Sequence, residues 1–352
     1  RREEHISDSL MGWLMFILAL QLQDYTFGFA GINFLWEELN GFPRGVNLLI
    51  GPVMLFYLKS QSKSNFRFQK KDLLHLLPHA IFTFIGLLVF SQGTAAVQAY
   101  QSSTFYHYFG YFNTLVRWAS YTYYFSQCFG LYNRYQVWVL KVHSDPSSID
   151  LKWFKLFIQI MLFGVVFKEV MMVLTHFLYL SFYQDWWWNL ALVLIVILTG
   201  IRAYAQPAIL LAFDEEIADS KPKEERSLVS QDQKLQWQST YKNIVEKIEA
   251  DKLYLQAGLS LRQLAEHFSC SQLEVSNAIQ QSTFDNFNDF INSFRVEEFK
   301  KRALNGQNKS FTLLAIALES GFNSKATFNR VFSKKEGMSP KEYIAKQERD
   351  TA

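Results

Sequence analysis

The residue types and spacing with the clearest chemistry lie between Phe311 and Ile344, in FTLLAIALESGFNSKATFNRVFSKKEGMSPKEYI. Lys325, Arg330 and Lys334 fall on one side of a helical pattern, and a row of fixed cations on a helix suits the phosphates of a nucleic acid. The opposite side is apolar, with Phe328, Val331 and Phe332 recurring at helical spacing. Ser324 stands where an N-cap belongs. Before it, Leu313, Leu314, Ile316 and Ala317 predict a short apolar helix, and Gly321 supplies the positive φ that a sharp turn needs. The pattern is a helix-turn-helix, and its chemistry is binding to double-stranded DNA.

The elements that must position this motif begin upstream. Leu261, Leu264, Ala265 and Phe268, then Ser269-Cys270-Ser271, then Val275, Ala278 and Ile279 predict a second, weaker helix-turn-helix across Leu259 to Gln281. An amphipathic helix from Phe287 to Leu304, with Phe287, Phe290, Ile291, Phe294 and Phe299 on one face, joins the two units. Two such units on one rigid helix can enter successive major grooves. Their charges differ. From Ala257 to Asp285 the only basic residue is Arg262, against Glu266, Glu274 and Asp285; from Phe290 to Lys341 there are ten Lys or Arg against Glu297, Glu298, Glu319 and Glu336. The second unit is therefore expected to supply most of the phosphate affinity. A stripe of Tyr241, Ile244, Val245 and Ile248 is about two turns long, which suits the first helix of this domain better than a dimerising coiled coil.

With these residues in view, NFNDFINSFRVEEFKKRAL followed by LLAIALESGFNSKATFNRVFSKKEGMSPKEYI resembles the C-terminal domain of AraC/XylS-type transcription regulators, over Tyr241 to Gln347. The markers are Ile316-Ala317, Gly321-Phe322, Phe328, Arg330, Phe332, Gly337 and Ser339-Pro340. The resemblance implies that Lys325, Ala326 and Thr327 face bases and that Arg330 grips the backbone, with Ser324 and Lys334 beside them. The first unit departs from the family pattern at Ser269, where a glycine is usual, and at Asn277, where an arginine is usual. Leu273, Ser276 and Asn277 there either contact bases or serve as structure. More loosely, the N-terminal half is similar to the multi-spanning sensory regions attached to such domains in some bacterial regulators.

That half is compositionally different. The 352-residue chain is 17% aromatic, with 33 Phe and 9 Trp, yet only 19% charged, and its mean hydropathy of −0.02 averages an apolar half with a polar one. A net charge of +3 implies no partner by itself. Apolar segments at Leu10–Phe29, Val46–Leu58, Leu73–Phe90, Phe109–Leu131, Phe154–Leu180 and Trp188–Leu211 predict six membrane spans. Basic connections (Lys59, Lys63, Arg67, Lys70, Lys71, and Arg134, Lys141, Lys152, Lys155) alternate with ones poor in Lys and Arg, which puts the basic side, and both termini, in the cytoplasm. Asp185-Trp186-Trp187-Trp188 fits an outer aromatic belt. The expected organisation is all-α: a transmembrane sensory domain over 1–213, a polar cytoplasmic linker over 214–240, and the DNA-binding domain over 241–352.

Ionisable residues inside these spans are costly and usually paired or functional. Arg117, Lys168 and Glu169 are thus either a signal-sensing cluster or an internal ion pair that fixes helix packing. His75 and His79 have a spacing that could hold a metal, but Pro78 between them and the lack of a Cys or carboxylate partner favour interfacial packing. Cys128 and Cys270 indicate no disulfide framework. Asp24 and Arg117 interrupt the first and fourth segments. The chain begins Arg1-Arg2-Glu3-Glu4 without Met, which reads as a processed or truncated product. No phosphate-cradling loop, metal cluster or nucleophile motif points to an enzyme or a cofactor. The expected partners are double-stranded DNA, a lipid bilayer, an unidentified small-molecule or membrane signal and, as a further candidate, a second copy of the chain. The expected location is the bacterial inner membrane with the C-terminal domain cytoplasmic. The competing reading is a membrane receptor or transporter-like protein whose helical domain binds proteins and has lost DNA binding.

Overall fold

The structure is a computed structural model and describes residues 6–29, 39, 41–62, 66–146, 152–179, 181–205, 213, 215–218, 230–305 and 311–351. Among them there are helices and no β-strand, so the all-α expectation holds. The chain forms two compact units: Arg1–Tyr132 with Lys152–Ala212, and Asn133–Leu151 with Phe213–Ala352.

The first unit holds α1 (Ile6–Phe29), α2 (Asn47–Ser62), a 3-10 turn at Lys70–Leu76 leading into α3 (Leu77–Phe90), α4 (Thr94–Gln101), most of α5 (Thr104–Val142), α6 (Lys152–Leu178) and α7 (Phe182–Ala205). All six expected apolar segments fall largely on these helices; Leu180 of the fifth and the end of the last lie outside the described residues. Three stretches, Lys70–Phe90, Lys152–Thr175 and Trp186–Ala203, are long and apolar enough to cross a membrane, and Ile6–Leu22 is a shorter apolar helix. At 16 residues with Pro52 inside, α2 reaches only about 24 Å, short of a full hydrocarbon core. Helix α1 packs on α2 and α7, and α6 on α7. Leu14, Met54, Phe157 and Ile158 form a dry interior. In contrast, none of the residues of α3 is buried, and Phe84, Leu88, Phe163, Val170, Ile197 and Leu198 point outward. The side chains of Asp24 and Asp185 lie outside the described residues, as do 214 and 219–229 of the expected linker.

The second unit comprises α8 (Glu215–Ala218), α9 (Gln231–Ala250), α10 (Leu261–Phe268), α11 (Gln272–Gln280), α12 (Phe287–Leu304), α13 (Leu313–Glu319), α14 (Lys325–Glu336) and α15 (Pro340–Thr351). Ile244 and Ile248 are fully buried on α9, which packs on α11. Helix α12 touches α11, α13, α14 and α15. Its Val296, Phe299 and Ala303 share a core with Ile316, Ala317, Phe322, Phe328, Phe332 and Ile344. Burying each large side chain of that set contributes about 1.5–3 kcal/mol.

The unit also takes in the end of α5. The expected fourth span stops at Leu131, but the helix runs on to Val142. Tyr135, Trp138, Val139 and Val142 recur at i, i+3, i+4, i+7 and are buried. Phe213 meets the rings of Tyr135 and Trp138 at 5.7 and 5.6 Å. Lys141 donates to the carbonyls of Ile217 and Ala218, each at 3.0 Å, and so caps α8. Arg134 and Lys141, expected in an open basic connection, are therefore helical.

Candidate nucleic-acid interface

Helices α13 and α14 meet at Gly321, whose φ of 95° is open chiefly to glycine. A methyl group there would also lie 2.5 Å from the Tyr254 carbonyl oxygen and 3.0 Å from Arg295 Nε, so both conformation and space require glycine. Ser324 caps α14 by accepting from the Thr327 N–H at 3.2 Å. Gly337, at φ 72°, closes its far end by donating to the Ser333 carbonyl. With Phe328 and Phe332 turned into the core, the outer edge of α14 carries Lys325, Ala326, Asn329, Arg330, Ser333 and Lys334.

These cations are not equivalent. Among the described residues, Lys325 and Arg330 make no ion pair or side-chain hydrogen bond, and neither do the exposed Lys301 and Lys341. Lys334 contacts Asp289 at 3.3 Å, and Lys335 contacts Glu297 at 2.9 Å. Lys300 bridges Glu297 and Glu336, and Arg302 bridges Glu298 and Glu319. Burial alone would raise the Glu297 and Glu298 carboxyls; their bonds to Lys335, Lys300 and Arg302 outweigh it and hold both below the usual range. These pairs fasten α12 to α13 and α14 and, among the described residues, leave Lys325 and Arg330 as the unpaired charges of the outer edge of α14.

The residues matched to a helix-turn-helix domain family are 264–346, from α10 into α15. This stretch is a helix-turn-helix domain. The chain is also similar to an uncharacterized HTH-type transcriptional regulator of Staphylococcus aureus strain COL, with 33% identity over 92 residues, 26% of this chain and 12% of the relative. Counterparts from strains MSSA476 and N315 match with the same identity and coverage. The chain thus spans about an eighth of the length of these curated relatives. No solved structure matches it.

Within the helix-turn-helix domain, two expected base-facing residues are turned inward. Thr327 is 3% exposed and its hydroxyl pairs with that of Ser324, so it locks the cap. Asn329 occupies the exposed position one turn on; its signal was the i+4 spacing from Lys325. In the first helix-turn-helix Ser276 is also 3% exposed and accepts from Gln280 Nε2. Helix α11 packs on α9 and α8, which leaves Leu273 and Asn277 half-buried. Its turn works without glycine because Ser269 itself takes a left-handed conformation, at φ 53°, with Cys270 N–H bonded to the Ala265 carbonyl.

Sequence reasoning missed the polar centre of the domain. Asn288, Asn292 and Arg295 lie at i, i+4, i+7 on α12, and that alignment among apolar residues was the available signal. Arg295 is 1% exposed. It donates to the carbonyls of Tyr254 and Gln256, both at 2.8 Å, and to Ser144 Oγ at 3.1 Å. Asn288 and Asn292 both donate to the Ser144 carbonyl, and Asn323 donates to Asp145 Oδ2 at 2.6 Å. His143 and Ser144 pair with Ser260 and Leu259 at the start of α10. The turn after α5 thus contacts the start of α10, the middle of α12 and the approach to α14. Burial pulls the Arg295 guanidinium down to about 10, opposed by the charge of Asp145, so it remains a cation at neutral pH.

In the first unit, Arg117 holds Glu169 through two contacts of 3.1 Å, and Trp118 Nε1 donates to the same carboxylate at 2.9 Å. Lys168 instead donates to Gln21 Oε1 at 3.1 Å. His75 pairs with the Tyr124 hydroxyl and His79 with Thr83, so the two rings serve separate partners.

Proposed function

We propose that the chain is a membrane-anchored, one-component transcription regulator. The helix-turn-helix domain binds promoter DNA from the cytoplasmic face of a bacterial inner membrane, and the first unit senses a signal in or across that membrane. The observation that carries the DNA half is the edge of α14, where Lys325 and Arg330 stand exposed and, among the described residues, unpaired on a helix otherwise tied into a phenylalanine core. Lys325, Ala326 and Asn329 face bases, and Arg330 neutralises a phosphate. Lys334 is divided between Asp289 and DNA. Helix α11, covered by its neighbours and bearing Glu274, contributes chiefly structure.

Membrane anchorage is supported by the surface of the first unit. A helix such as α3, apolar and without a buried residue, is tolerable where the solvent is lipid. Arg117, Lys168 and Glu169 are the polar cluster through which such a bundle would register a signal.

The test is DNA affinity of the intact protein against salt concentration, with Arg330→Ala and Asn277→Ala compared separately. Loss of one phosphate contact lowers the slope of log affinity against log salt by about 0.9. Arg330→Ala is expected to show that loss and Asn277→Ala a far smaller one. Equal losses would sink the asymmetry between the units, and no loss in either would favour a domain that binds protein partners.

A further inference from the structure

In the first unit α1, α2, α5, α6 and α7 line a narrow, partly open cavity of about 50 Å³. Leu18, Leu22, Ile50, Met161, Leu192 and Val196 make most of its wall apolar, and Gln21, Tyr121, Lys168, Glu169 and Thr199 supply its polar atoms. The polar groups are unevenly satisfied. Glu169 is engaged by Arg117 and Trp118, and the Thr199 hydroxyl donates to the Ile195 carbonyl at 2.6 Å. Gln21 donates to Asn47 at 2.6 Å and accepts from Lys168. Lys168 is the exception. It carries three donors, and among the described residues its hydrogen-bond acceptor is Gln21 Oε1 alone.

Charge points the same way. The charges acting on Lys168 are Glu169 and Arg117, and Glu169 is already spent on Arg117. Among the described side chains, two cations against one carboxylate leave an excess of +1 beside an apolar cavity. An ammonium held in such surroundings with one neutral acceptor is costly unless an anion joins it. Gly164 lies one turn before Lys168 on α6 and also lines the cavity. A Cβ placed there would meet nothing within 4 Å, so the space in front of the lysine is open.

We propose that this cavity is a binding site for an apolar compound bearing one anionic group, the anion on Lys168 Nζ and the apolar body along Leu18, Leu22, Met161 and Val196. The inference rests on reading the first unit as the sensory half, and it names the chemistry of its signal. Binding supplies the missing negative charge and the missing acceptors in one step. A neutral alcohol supplies no charge, and a cationic amphiphile repeats the one already present.

The test uses the intact protein in neutral-detergent micelles, with decanoate as probe and decanol and decyltrimethylammonium as controls. Decanoate is expected to raise the unfolding temperature of the native protein saturably, and neither control is expected to do so. Lys168→Met should abolish the response and, having lost an uncompensated charge, melt no lower than the native protein. Lys168→Arg should retain the response. Gly164→Leu, which fills the cavity and leaves Lys168 in place, should abolish it. A phosphatidylglycerol arm separates the sources: a response to this lipid without one to decanoate assigns the site to the bilayer's own anionic headgroup. Equal stabilisation by decanol, a full response in Lys168→Met, or no response to either anion together with a lower melting temperature for Lys168→Met would overturn the proposal in favour of an internal packing lock. No DNA enters this assay, so its failure leaves the DNA-binding reading to its own experiment.

Discussion

Replacing Arg295 with methionine tests whether the polar centre of the second unit holds the helix-turn-helix domain together. Methionine keeps much of the stem and removes the guanidinium. The buried carbonyl of Tyr254 then loses its donor, the carbonyl of Gln256 is left with the Leu259 N–H, and the carboxylate of Asp145 loses a cation whose charge acts on it. The orphaned acceptor costs about 1–3 kcal/mol, and leaving the buried Asp145 carboxylate without a compensating charge costs up to about 3–5 kcal/mol. The two ranges describe overlapping losses, so a total of roughly 4 kcal/mol is the reasonable expectation. Against a domain stability of about 5–15 kcal/mol this is a large share. Hydrogen exchange of the intact protein, read on peptides from α12 to α14, should show protection reduced by roughly two to three orders of magnitude. A double-mutant cycle with Asp145→Asn should be strongly non-additive, because much of the penalty is the charge left behind. Unchanged protection, a cost below about 1 kcal/mol, or strict additivity would refute this account of the centre.

Gly321→Ala should destabilise the same domain by about 2 kcal/mol or more, since alanine is strained at this φ and its methyl meets the Tyr254 carbonyl; chemical unfolding of the second unit measures it. Ser324→Ala removes the N-cap of α14 and should cost about 1 kcal/mol in the same measurement, with Ser324→Gly costing less. The pH dependence has a fixed sign. Glu297 and Glu298 have folded values below the ordinary one, so their contribution is complete above about pH 4.3 and lost as pH falls further. Burial likewise lowers His143, so stability is also lost as pH drops below about 6.5, where the unfolded chain takes up a proton first. Unfolding of the second unit between pH 7.5 and pH 3 checks both, and His143→Gln should remove only the upper step.

The second helix-turn-helix was legible because its local signals agree. Gly321, the Ser324 cap and the Phe328–Phe332 spacing each demand the turn that is observed, and the apolar positions of α10, α11 and α12 follow the same 3.6-residue period. Exposure around a helix was less legible than its existence. Thr327 and Ser276 have side chains compatible with either surface, and only the packing of the cap and of α9 and α8 decides that they are inside. The segment after Leu131 was hidden for another reason. Its Tyr135, Trp138, Val139 and Val142 stripe is interspersed with Arg134 and Lys141, which read as a solvated connection until Phe213 and α8 provide something to pack on. Long-range polar contacts such as Ser144 with Arg295 leave no pattern at their spacing of 151 residues.

The central claim is that the α14 edge reads DNA in an intact, membrane-bound chain. Genome-wide DNA occupancy of the full protein beside a Lys325→Ala, Arg330→Ala variant tests it most directly, with both present at equal levels in the membrane fraction. Occupancy at defined promoter sites that disappears in the variant is the predicted result. Absence of enriched sites for the native protein, or the same sites held by the variant, would contradict it.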